Sequence, residues 1–190
     1  NFSYTYPVKD VAYPQAKLGQ DFERLKLSVS IQKPFLSLVQ AFNWDWYLPK
    51  ERKNQNYRNP NLTELRFMAF AGIIQGCSGI FFFSFQTLPS KPDYLNSNIK
   101  PLVAEIKSVR EYLSWDKFDC GSLIGDRKDV AATCRRRGDS TFALIANASA
   151  KPIPLPTVWT EKRGSPEGSA NVPPALEPWG VRWRVWNHDD

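Results

Sequence analysis

Histidine is nearly missing from this sequence: the one copy among 190 residues, His188, lies two places from the last residue, beside Asp189 and Asp190. A metal centre built on one histidine near a frayed terminus is not expected, and neither is a cofactor. Cysteine is scarce too, with three copies and no C-x-x-C. Cys77 falls in a break after an apolar helix and reads as a buried free thiol, whereas Cys120 and Cys134 lie in strand-like segments and form the candidate disulfide pair. The longest apolar run is too short to cross a bilayer, so no membrane span is expected. There is no signal-peptide pattern and no initiating methionine at Asn1, so the chain reads as processed or truncated.

Basic residues outnumber acidic ones, for a formal charge of +6, yet the only dense basic run is Arg135, Arg136 and Arg137. Without a repeated basic and aromatic pattern this run reads as a solvated turn, and nucleic acid is not an expected partner. What the chain does have is apolar surface, 42% of its residues, enough for a substantial core. Fifteen prolines and seven tryptophans add fixed turns and large flat side chains. Three N-x-Ser/Thr sequons begin at Asn1, Asn61 and Asn147 and are candidate glycosylation sites. They tilt the expected compartment slightly towards an extracytoplasmic one.

The chain is organised around residues 61–85. Asn61 and Glu64 fit a capping box, and Leu65, Met68, Ala69, Ala71 and Ile73 make a helix apolar over much of its surface. Gly76 to Gly79 breaks it, and Ile80 to Phe83 reads as a short strand covered on both faces. Upstream, Phe2 to Val8 reads as a strand end, and Gly19 to Ile31 fits a helix, with strand alternation as the rival pattern over its second half. Phe35 to Phe42 reads as a central strand ending near Gln40. Gln86 to Asn98 reads as a loop, and Ile99 to Leu113 is the clearest amphipathic helix.

Past Trp115 the grammar changes to short strands. Cys120 to Ile124, Val130 to Cys134, Thr141 to Ala146, Pro156 to Trp159 and Val181 to Trp186 are candidates separated by turn residues, with Glu161 to Ala175 as a surface loop. The expected organisation is therefore an α/β part over residues 1–115 and a small antiparallel β-domain over residues 116–190.

The segments IQKPFLSLVQAFNW, NPNLTELRFMAFAGIIQGCSGIFFFSF and NIKPLVAEIKSVREYL, in that order, resemble the last strands and helices of glycoside-hydrolase-like TIM barrels. FALIANASAKPIPLP and LEPWGVRWRVW resemble the small β-sandwich domain that often follows such barrels. The resemblance implies the C-terminal portion of a (β/α)8 barrel, about strands six to eight, and a carbohydrate partner. It also implies a further chain or a missing N-terminal segment to complete the barrel. Glycosidases of this kind use two carboxyl groups, and many place one at the end of strand seven, where this sequence has Gln40. A glycosidase completed by another segment and a non-catalytic carbohydrate-binding or structural subunit are thus both open. On the expected rim Tyr6, Gln40, Asn43, Trp44, Trp46 and Phe85 are the substrate-binding candidates, amides reading hydroxyls and rings covering sugar faces. Asp45, between two tryptophans, is the catalytic candidate, and Asp10 is the other carboxylate near that rim.

Overall fold

The computed structural model describes residues 36–43, 46–52, 58–83, 85–124, 129–155, 159 and 175–187. The expectations for residues 2–8, 19–31 and 161–174 lie outside them. The chain divides into two compact units, Asn1–Glu105 and Ile106–Asp190.

In the first unit, strand β1 (Leu36–Gln40) is followed by helix α1 (Leu62–Ile74) and strand β2 (Gly79–Phe83). The two strands pair in parallel, Leu36 opposite Gly79 through Gln40 opposite Phe83. Parallel pairing follows from the helix between them, because a crossover returns the chain to the end at which the first strand began. Local sequence sets both helix ends. The Asn61 side chain accepts from the Glu64 amide at 2.9 Å while the Glu64 carboxylate accepts from the Asn61 amide at 2.8 Å, closing the capping box. Arg58 grips the same carboxylate with two nitrogens, at 2.7 and 2.6 Å. At the other end Gly76 adopts φ 86°, its amide donates to Ile73 O and the Cys77 amide donates to Gly72 O. This paired arrangement terminates helices through a left-handed residue, for which glycine has no steric penalty.

Gly72 serves closeness. A Cβ there would lie 2.6 Å from the Ser37 side chain, so the missing methyl lets α1 sit down on the Ser37 face of β1. By register that face also carries Val39, Ile80 and Phe82. Leu65 and residues 67–74 of α1 are buried, which fits a helix with apolar residues on most sides.

The expected loop after β2 is mostly helical. A 3-10 segment, Phe85–Ser90, leads to a helical turn Pro92–Tyr94, a π-helical stretch Leu95–Ile99 and helix α2 (Lys100–Val109). Pro92 has a φ suited to a first helical turn. The wider stretch lies just before Pro101, which has no N–H to donate back, and the Lys100 amide donates to Leu95 O, five residues earlier.

The second unit holds β3 (Asp116–Phe118), a short helix α3 (Gly121–Ile124), β4 (Val130–Arg137), β5 (Ser140–Asn147), β6 (Ile153–Pro154), β7 (Ala175–Leu176) and β8 (Val181–Asn187). The four-stranded antiparallel sheet runs β3-β4-β5-β8, and β6 pairs with β7. Cys134, Ala143 and Ile145 on one sheet face meet Cys120, Ile153, Trp159 and Leu176 in a core cluster. Tyr112 stacks on Phe142 at 5.2 Å on the other face.

Several expectations need correction. Among the described residues the strands form small open sheets of two, four and two strands, with no closed eight-stranded barrel and no compact β-sandwich. The fold class expected from the resemblance is therefore wrong. One strand-helix-strand unit has the same local pattern whatever the number of strands in its sheet, so the local pattern could not reveal closure. The Cys120 to Ile124 segment is helical after Cys120 rather than a strand. The arginine run is the end of β4, paired with β5, rather than a turn. β2 is not covered on both faces: Phe81 is 60% exposed and Phe83 36%.

Candidate functional site

The carboxyl ends of β1 and β2 carry the rim on which the sequence candidates were placed. The rim is tied together by backbone and rings: the Ala41 amide donates to Phe83 O, and Phe42 packs edge-on against Tyr47 and Phe83, each at 5.4 Å. Tyr47 and Thr87 hydroxyls meet at 3.3 Å, linking the segment after β1 to the one after β2. Trp46 stands edge-on to Tyr94 at 6.2 Å, and Lys91 Nζ lies 5.5 Å from its ring centroid.

Gln40 is not a surface reader on this rim. It is 3% exposed and its Nε2 donates to Phe42 O at 3.0 Å, so the amide braces the turn out of β1. Asn43 is half-buried, and its carbonyl accepts from the Trp46 amide at 3.0 Å. Trp46 is half-buried and Phe85 is 58% exposed. Tyr6, Trp44 and Asp45 lie outside the described residues, as does Asn1.

Two of the described carboxylates are already engaged by arginines. Glu64 is held by Arg58 and the helix cap, and Glu105 by Arg66 at 2.7 and 2.6 Å. The side-chain hydrogen bond to Glu64 holds the Arg58 guanidinium above its ordinary value. Tyr94 is pushed well above the usual phenol range, first by burial and then by the Glu64 charge, and it donates to Pro60 O at 2.9 Å. Burial pushes the Cys77 thiol up, towards an inert form. Among the described residues no group of three or more His, Cys, Asp or Glu side chains is arranged to hold a metal. No helix among them is long and apolar enough to cross a membrane.

In the second unit Cys120 and Cys134 are bridged, with Cα atoms 5.5 Å apart. Asn147 is fully buried, and its Nδ2 donates to Lys151 O, Leu176 O and Glu177 O at 2.7, 3.0 and 3.0 Å. That nitrogen stitches the end of β5 to the turn before β8 and is not presented to a glycosylating enzyme. At Asn61 the side-chain oxygen is the helix cap. At Asn147 the glycoprotein expectation therefore finds no support. Desolvation lowers the Arg135 guanidinium below its ordinary value, and its Nη1 donates to Trp115 O.

The surface that sequence reasoning missed is the other face of the parallel pair. By register Leu36, Leu38 and Gln40 share it with Gly79, Phe81 and Phe83, opposite the face that carries Ser37 and α1. Leu38 and Gln40 are buried there, but Leu36 is 46% exposed and Phe81 and Phe83 protrude. No described strand pairs with the second edge of β2. A signal was present in the sequence: residues 78–87 contain neither a charge nor a proline, the devices that usually guard a strand edge.

No protein-family model, curated protein or solved structure matches the chain. With no family match and no barrel, the carbohydrate-active function implied by the resemblance is overturned, in both its glycosidase and its carbohydrate-binding form.

Proposed function

We propose that the chain is a protein-interaction module whose short parallel sheet is extended along β2 by a strand of another polypeptide. The observation that carries this reading is the exposure of Phe81 on a strand whose second edge has no described partner. Parallel strands are ordinarily covered on both faces, and a two-stranded sheet is marginal alone. Added strands gain affinity from main-chain hydrogen bonds and specificity from alternate side chains, and β2 offers both an edge and a row of rings. The two phenylalanine rings, at about 200 Å² each when fully exposed, leave about 200 Å² of aromatic surface in water.

Amide exchange tests the reading. The protein is isolated from its source without dissociation and compared with the dissociated chain at the Ile80 and Phe82 amides, which by the register point away from β1. Protection of these amides in the assembly, lost in Phe81→Glu while α1 stays protected in both, supports it. Equal exchange in the two samples, or a protein that is a lone chain in its source, overturns it.

A further inference from the structure

We infer that the tip of the β4–β5 hairpin docks an adhesion receptor that takes the Asp139 carboxylate on a receptor-held divalent cation and the Arg137 guanidinium in an acidic pocket. This goes beyond the strand-addition reading and does not depend on it. Residues 137–140 read RGDS. Arg137 pairs with Ser140 across the two strands, so Gly138 and Asp139 alone make the turn. Gly138 takes φ 57° and Asp139 does not have a positive φ, the pattern of a type II′ turn with glycine at its first central position.

The arginines of the run have different fates. Arg135 Nη1 donates to Trp115 O at 3.4 Å, and the Arg136 guanidinium lies 4.8 Å from the Phe118 ring centroid. Arg137 and Asp139 are exposed, and neither has an ion-pair partner among the described residues. Two opposite charges therefore stand in water on one turn without cancelling each other. A Cβ placed on Gly138 would meet no atom within 4 Å, so the outer side of the turn is open to a partner's surface. The strands below hold it in place: β5 is paired on both sides, and Cys134 in β4 is bridged to Cys120. A turn fixed in advance loses little entropy on docking.

The chemistry of the two charges selects the partner. A simple ion pair in water is weak, because solvent and salt screen it. A carboxylate oxygen is instead a standard ligand of Mg²⁺ and Ca²⁺, and a guanidinium pairs with a carboxylate through two parallel hydrogen bonds. Arg-Gly-Asp on an exposed turn is the arrangement that integrin-type receptors read with those two contacts.

Surface plasmon resonance on the full chain, with a panel of purified integrin ectodomains of the Arg-Gly-Asp-binding kind as the probe, is the test. In magnesium buffer at least one of them should bind, a soluble Arg-Gly-Asp-Ser peptide should compete, and EDTA should abolish the signal. Asp139→Glu keeps the charge but moves the carboxylate out by one methylene. This variant and Arg137→Ala should each weaken binding by about tenfold or more, whereas Arg136→Ala should change it by less than about twofold. Amide exchange across β4 and β5 should match the parent chain in all three variants, so that lost binding is not lost folding. Binding that survives EDTA, that tolerates Asp139→Glu, or that Arg136→Ala weakens as much as Arg137→Ala does, overturns the cation-ligated contact. A folded chain that binds none of the ectodomains overturns it as well.

Discussion

β2 and β5 are both short, uncharged, largely apolar strands, and they meet opposite fates. β5 has buried residues from Thr141 to Asn147 without interruption, whereas β2 leaves Phe81 and Phe83 in water. The difference lies in position. β5 is central, paired with β4 on one side and β8 on the other, with a core cluster on one face and the Tyr112 ring on the other. β2 pairs with β1 alone among the described residues and is covered by α1 on one face. An apolar run therefore says that a segment can be buried, and its neighbours decide whether it is.

The sharpest way to break that comparison is to truncate one ring in each strand. Phe142→Ala in β5 should cost about 3–5 kcal/mol, because a fully buried ring leaves a cavity and a stacked partner behind. Urea denaturation followed by tryptophan fluorescence reads this, and a loss below about 1 kcal/mol would show that β5 is not a tightly packed strand. Reducing the Cys120–Cys134 bridge comes next. It closes a separation of 14 residues, for which chain entropy gives about 3 kcal/mol. Denaturation with and without a phosphine reductant should show that loss, with amide exchange rising in β3 and β4 but not in α1.

Asn147→Ala should cost about 2 kcal/mol, since three carbonyls lose their donor together. Its exchange signature should be confined to the end of β5 and the turn before β8. Asn61→Ala should cost about 1 kcal/mol through the helix cap, seen as faster exchange in the first turn of α1. The smallest effect is expected at Phe81→Ser, within about 0.5 kcal/mol for the isolated chain, because the ring is already largely in water. A loss of several kcal/mol there would mean that β2 is covered within its own chain, and the contrast with β5 would collapse.

Elements defined by short-range chemistry were the legible ones. The capping box and the glycine at position 76 mark α1 from both ends, and β2 follows it where the β-branched and aromatic run begins. Where the pattern was shared by two structures, it misled. Cys120 to Ile124 has strand-like residues but turns helical, with Cys120 bridged to β4 and Asp119 accepting from the Gly121 amide at 3.0 Å. The arginines after Cys134 look like a solvated turn, yet β5 supplies cross-strand partners through Arg137 opposite Ser140. Of the candidate site, Gln40 was correctly placed at a strand end and misjudged in exposure. The carbonyl of Phe42, two residues on, captures its amide, a contact that only the path of the turn creates.

By itself the sequence determined where chain segments start, stop and alternate: caps, glycine termini and apolar spacing act within a few residues and need no distant partner. The tertiary structure alone decided how many strands join each sheet and which apolar face stays wet. Those outcomes depend on pairing between residues far apart in the chain. Leu38 lies opposite Phe81, yet the first is buried and the second is 60% exposed, a difference that no local pattern of hydrophobicity encodes.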